Sequence, residues 1–203
     1  MTFDDVTYVG ADFDDAAILA DLPAELSTLL LEDNGLIAFD GGLHIRGACN
    51  SPDWHSLRAA WRGPGAFWRS YDTLQPEDIP FAEDCLGDQY LLRKAAVMHL
   101  SGETGEISER ATSLTEFLNE VVLDPMRALS LEPLHEFRSG GSRLKPGQLL
   151  NVYPPFCATF EGPRSYRAIP SAEQHAFLGA LAKQLRDLPD GTAVEFKVLP
   201  PAV

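Results

Sequence analysis

Cysteine is scarce in this chain, and what there is cannot form a framework. Cys49, Cys85 and Cys157 are widely spaced and odd in number. That excludes a disulfide-stapled scaffold and leads us to expect a reducing, cytoplasmic setting. Long apolar runs are missing too: none approaches the roughly 20 residues of a membrane span. The opening residues, Met1-Thr2-Phe3-Asp4-Asp5, lack the basic flank and apolar segment of a secretion signal. Basic residues are few, 16 against 30 acidic ones, for a net charge of -14. The first forty residues hold ten carboxylates, Asp4, Asp5, Asp12, Asp14, Asp15, Asp21, Glu25, Glu32, Asp33 and Asp40, and no Lys or Arg. Such a field repels nucleic acid and anionic membrane and draws in basic partners. The same surplus also serves solubility.

The motifs of common enzymes are missing as well. The chain has no Gly-x-Ser-x-Gly elbow, no phosphate-binding Gly-Lys-Ser/Thr loop, no Gly-x-Gly-x-x-Gly, no His-Glu-x-x-His and no Cys-x-x-Cys. The five histidines, His44, His55, His99, His135 and His175, are scattered with no second ligand type at metal spacing, and His99, alternating with Met98 in a strand, reads as a structural histidine. Asp12-Phe13-Asp14-Asp15 lacks the spacing and turn glycine of a calcium loop, and a helix N-cap accounts for it better. Glu83, Asp84 and Asp88 could converge at a turn as a carboxylate pair or cation site. Turn aspartates that bond backbone amides are the commoner arrangement. No catalytic residue, metal or cofactor is therefore expected.

What is present reads as an α+β protein. With 203 residues, 45% of them hydrophobic and 23% charged, the chain can bury one sizeable core with an elaboration. Val6 to Val9 suggests a short strand, Ala16 to Ala20 a helix, and Pro23 starts a clearer helix that Asn34-Gly35 stops. Leu36 to Phe39 and Leu43 to Ile45 flank Asp40-Gly41-Gly42 as a hairpin. Trp54, Leu57 and Trp61 fall at helical spacing. Pro80 marks Ile79-Pro80-Phe81 as an irregular or edge segment. Gly87-Asp88 reads as a tight turn, Gln89 to Arg93 and Ala96 to Leu100 as antiparallel strands, and Glu106-Ile107 as a short third one. Ser113-Leu114-Thr115-Glu116 is a capping box ahead of a stripe of Leu114, Phe117, Leu118, Val121 and Val122. Asp124-Pro125 and Leu131-Glu132-Pro133 are helix breaks, and Ser139-Gly140-Gly141-Ser142 a joint. Beyond it follow a strand at Gln148 to Tyr153, a helix opening at Ser171 with Phe177, Leu178, Leu181, Ala182 and Leu185 on one face, and a strand from Ala193 to Leu199.

Three separated pieces, in order, resemble the SUKH superfamily of Smi/Knr-like domains. They are Leu22-Pro23-x-Glu25-Leu26 ending in Asn34-Gly35; Ile79-Pro80-Phe81-Ala82 with Gly87-Asp88 and its strand; and Val97 to Leu100, Glu103-Thr104-Gly105-Glu106 and the Ser113 to Val122 helix. They span about residues 15 to 125. The resemblance implies a mixed, mostly antiparallel sheet backed by helices over residues 1–130; residues 131–203 lie outside the pattern and read as an extension packed on the same domain. It implies a non-enzymatic immunity protein that binds and neutralises a polymorphic toxin, often a nuclease. The alternative is a regulatory scaffold with endogenous partners. A further alternative, a hydrolase or metal enzyme, would need a concave site gathering Glu83, Asp84 and His99. The expected partner is a basic toxin domain, not nucleic acid or membrane. Acidic and aromatic residues at turns beside the sheet, Asp40, His44, Trp68, Asp84 and Asp88, are the candidate binding face; in the competing reading Asp88 caps a turn and Trp68 packs.

Overall fold

The computed structural model describes residues 2–189 and 191–194. The chain enters through β1 (Tyr8–Val9), and Asp15 caps α1 (Ala16–Ala20) by accepting the Ile18 amide. α2 (Ala24–Glu32) follows Pro23, whose missing N–H has no helical acceptor to lose at that position. It buries Leu26 and Leu30. β2 (Leu36–Ala38) and β3 (Leu43–Ile45) form the expected hairpin around a single 3-10 turn at Phe39–Gly41. Ser56 caps α3 (Leu57–Trp61); Trp54 stands before that helix, not on it. β4 (Ile79–Asp84), β5 (Gln89–Arg93), β6 (Ala96–Leu100) and β7 (Ile107–Ala111) complete a seven-stranded antiparallel sheet in which the strands lie in sequence order. An isolated bridge, Gly47 to Ser56, is parallel.

β4 is an interior strand between β3 and β5, not the irregular or edge segment that Pro80 suggests. A register shift between Pro80 and Ala82 accommodates the residue that cannot donate to the ladder. β7 also runs longer than the two residues expected, because Ser108, Glu109 and Ala111 pair with β6 although their side chains give no apolar signal.

α4 (Leu114–Leu123) begins as the capping box predicts: Ser113 accepts the Glu116 amide, and the Glu116 carboxylate accepts the Thr112 amide. It buries Leu114, Phe117, Leu118 and Val121 on the sheet, whereas Val122 is 39% exposed. Phe117 meets Phe81 edge-on at 5.9 Å and Tyr90 at 4.6 Å, tying α4 to β4 and β5. Asp124-Pro125 does not end helical structure. Asp124 caps α5 (Pro125–Ala128), and α6 (Glu132–Ser139) carries Pro133 in its first turn. Proline at a helix start leaves no amide unsatisfied, so these breaks are also new starts.

β8 (Gln148–Tyr153) and β9 (Ser165–Pro170), the latter not anticipated, form a separate two-stranded ribbon. α7 (Ser171–Leu185) covers the sheet face opposite α4, where Ala182 joins Phe67, Tyr71, Leu91 and Leu100. Phe177 points outward. Leu150 belongs to the main core, and its amide donates to the Cys85 carbonyl at 2.7 Å, so the ribbon is packed on the sheet. The strand expected from Ala193 to Leu199 lies outside the described residues from 195 onward. No helix among the described residues is long and apolar enough to cross a membrane.

The two faces of α4 separate cleanly in energy. Phe117→Ala is expected to cost about 3–5 kcal/mol through the cavity it leaves, and Val122→Ala no more than about 0.5 kcal/mol. Denaturant midpoints measure both; equal losses would contradict the packing of α4.

Candidate functional site

Adjacent residues of β4 serve two different places. Side chains alternate across a strand, so Glu83, paired in register with His44 and Gln89, faces α7. Asp84 turns to the other side, toward Tyr90 and His99. The Glu83-Asp84-Asp88 convergence considered from sequence is thereby split, and only its aspartate half stays together.

On the first side Glu83 is 1% exposed and surrounded by donors. Its Oε1 meets His44 Nδ1 at 2.9 Å. Its Oε2 meets Arg46 at 2.7 Å, the Gln89 amide at 3.1 Å and His175 Nε2 at 2.7 Å. Arg46 also donates to the Pro80 carbonyl and to Gln89 Oε1, both at 2.8 Å. Although burial alone would raise it, Arg46, then His175 and His44, hold the Glu83 carboxyl well below the usual carboxylate range.

From Glu83 a line of imidazoles runs across the sheet. His44 Nε2 lies 2.9 Å from His55 Nδ1, and His55 Nε2 donates to the Asn34 carbonyl at 2.9 Å. Asn34 and ionised Glu83 supply only acceptors at the two ends, so three contacts require three protons where two neutral imidazoles carry two. Burial pushes the proton off both rings. His44 is lowered by burial against the pull of Glu83, and His55 is brought down to about 4 by burial and the nearby His44. The line is thus one proton short of complete until the pH falls.

On the second side the turn after β4 is built on Asp84, whose Oδ1 accepts the amides of Leu86, Gly87 and Asp88 at 2.9, 3.0 and 3.1 Å. Gly87 makes this turn possible with φ of 97°, and a Cβ there would come within 3.0 Å of Leu178 on α7. Asp88 accepts the Gly102 amide at 2.8 Å and meets His99 Nε2 at 3.1 Å. Burial, then the charge of Asp88, push the Asp84 carboxyl well above the usual range against the three amides. Asp84, Asp88, Tyr90 and His99 wall one side of an open cleft of about 960 Å³, closed on the other by Glu120 of α4 and Arg127 of α5.

The five residues expected to form one binding face do not come together as one. Asp84 and Asp88 share the cleft. His44 is buried in the Glu83 network and is withdrawn from any surface. Asp40 is paired with Arg138 of α6. Trp68 donates to the Trp61 carbonyl at 3.2 Å and carries Arg69 over its ring at 4.2 Å. Sequence reading misses the roles of Arg46, His55 and His175, whose partners are distant in the chain, and it groups His99 with Glu83 where the structure gives it Asp88. The alternation of Met98 and His99 in a strand does signal that His99 faces away from Met98. Comparison with family models and with curated proteins gives no match.

Removing Glu83 leaves Arg46 buried and uncompensated, so Glu83→Ala is expected to cost about 3–5 kcal/mol in denaturant unfolding. His55 sets a pH dependence. Between its ordinary 6.5 and about 4 the unfolded chain holds a proton that the folded chain lacks, so this group's contribution to stability falls as the pH drops through that window. The loss is on the order of 3 kcal/mol when complete. Imidazole NMR should place the His55 midpoint near 4; a midpoint at the ordinary value would mean the ring is solvated.

Proposed function

We propose that the chain is a non-enzymatic interaction protein of the SUKH, Smi/Knr-like type, which binds and neutralises a basic toxin domain. The stretch from Asp4 to Asp14 carries this reading. All of it except Tyr8 and Gly10 is exposed, and it places Val6, Val9 and Phe13 on the surface among Asp4, Asp5, Asp12 and Asp14. Within it lies β1, the terminal strand of the sheet. An edge strand offers main-chain groups to a partner strand, while flanking charge discourages self-association. Exposed Asp21, Glu25, Glu32 and Asp33 extend the acidic character without a Lys or Arg in the first forty residues.

A surface of this kind suits a partner that is itself basic, as a nuclease is where it grips phosphate. Acidic groups speed encounter with such a partner and enforce selectivity, while exposed apolar side chains supply contact area. The antiparallel sheet backed by α4 is compatible with the fold that the resemblance implies.

Co-expression with the protein encoded immediately upstream tests the reading, with growth rescue and co-purification as the expected result. Toxicity without rescue, or a harmless neighbour, would favour the regulatory scaffold. With the partner in hand, combined Asp4→Asn, Asp5→Asn and Asp12→Asn should slow association by about tenfold at low salt with the dissociation rate little changed. An unchanged association rate would remove this surface from the interface.

A further inference from the structure

We propose that Asp84, Asp88 and His99 bind a first-row divalent cation at the wall of the cleft beside α4 and α5. One ligand atom from each of the three lies within 4.8 Å of the others. Two ligands on one ion, each about 2.0–2.2 Å from it, stand no more than about 4.4 Å apart. The trio is therefore a small side-chain rotation from coordinating geometry. Two carboxylates and an imidazole make a mixed oxygen and nitrogen set. It suits Mn²⁺ or Zn²⁺ better than Mg²⁺ or Ca²⁺, which take oxygen ligands almost exclusively.

A second observation points the same way independently of that spacing. Asp84 is only 3% exposed, and its Oδ1 already takes three backbone amides. Among the described residues no donor reaches its Oδ2 and no cationic side chain pairs with it, although it lines the cleft. The side chain is otherwise enclosed, and it turns this one uncommitted oxygen to the cleft, where a cation can reach it. Of the two arginines that line the same cleft, Arg110 is taken by Glu120 at 2.6 Å and Arg127 makes no ion pair with Asp84. Asp88 is held in place by the Gly102 amide, so it presents its other oxygen beside His99 without reorganisation. The open volume of the cleft leaves room for waters to complete the coordination shell.

The alternative occupant of the gap is a proton on Asp84, and a binding measurement separates the two. The full chain, stripped with EDTA, is titrated calorimetrically with MnCl₂ or ZnCl₂. The expected result is one cation per chain, weaker binding of MgCl₂, and loss of at least about tenfold in affinity in His99→Gln and in Asp88→Asn. The amide introduced by Asp88→Asn keeps an acceptor for the Gly102 N–H, and His99 is partly exposed, so both variants should retain the wild-type circular dichroism. Pulsed EPR of the Mn²⁺-loaded wild type supplies a readout that no variant's folding can confuse: imidazole nitrogen modulation is expected. Binding absent up to about 1 mM cation, affinity unchanged in both variants, MgCl₂ bound as tightly as MnCl₂, or no nitrogen modulation would each overturn the proposal.

Discussion

The buried carboxylate of Glu83 is the constraint on which the rest of the architecture depends. Stripping water from an ionised carboxylate and a guanidinium costs several kcal/mol per ion, and only complete partnering offsets it. Its donors arrive from four places: His44 in β3, Arg46 just beyond it, Gln89 in β5 and His175 in α7. Arg46 matches the charge, and loss of any other donor leaves the carboxylate short of a hydrogen bond in the interior. Phe67 closes the arrangement, lying 5.2 Å from the Arg46 guanidinium and 4.9 Å from the His175 ring. One carboxylate thereby links α7 to β3 and β5. The segment after residue 131 is bound to the sheet by a polar contact as well as by its apolar face.

That network also dictates small residues far from it. The imidazole line ends at the Asn34 carbonyl, and Gly47 stands against that contact. A Cβ on Gly47 would lie 2.4 Å from the Asn34 oxygen and 2.6 Å from His55 Nε2. Glycine here is required by close approach, not by a turn. The Asn34 side chain then ties the end of α2 to the sheet, accepting the Ala48 amide at 2.7 Å and donating to the Ala11 carbonyl at 2.8 Å. Helix stop, glycine and histidine form one structural unit although they look like separate local signals.

Local signals are readable where the physics is local. Ser113 and Glu116, Asp15, Pro23 and Gly87 all act within a few residues of themselves, and the helices and turns they announce are where they should be. The failures are tertiary. Pro80 looks like an edge residue because a strand interior normally needs its amide; the register shift that removes this need is invisible in sequence. His175 and Glu83 are 92 residues apart, and His99 and Asp88 meet only because β5 and β6 pair. Grouping Glu83 with Asp84 by proximity in sequence is the natural error, since strand alternation sends neighbours to opposite faces. The same alternation, applied once β4 is known to be an interior strand, predicts the split.

The charge surplus acquires a location once the pairs are removed. Arg46, Arg58, Arg93, Arg110 and Arg138 are each committed to a carboxylate: Glu83, Asp15, Asp78, Glu120 and Asp40. Each pair cancels one charge of each sign, so pairing leaves the net of -14 intact while withdrawing cations from the surface. The excess acid must then reside on unpaired groups, and a stretch with many carboxylates and no base is where the field is least compensated. Asp4 to Asp14 is such a stretch, exposed beside the terminal strand. Buried carboxylates therefore tie the elements of the fold together, and exposed ones set the sign of the surface field. Asp84 belongs to neither class, being buried without a cation among the described residues, and that imbalance is what makes the cleft the place to look for a bound ion.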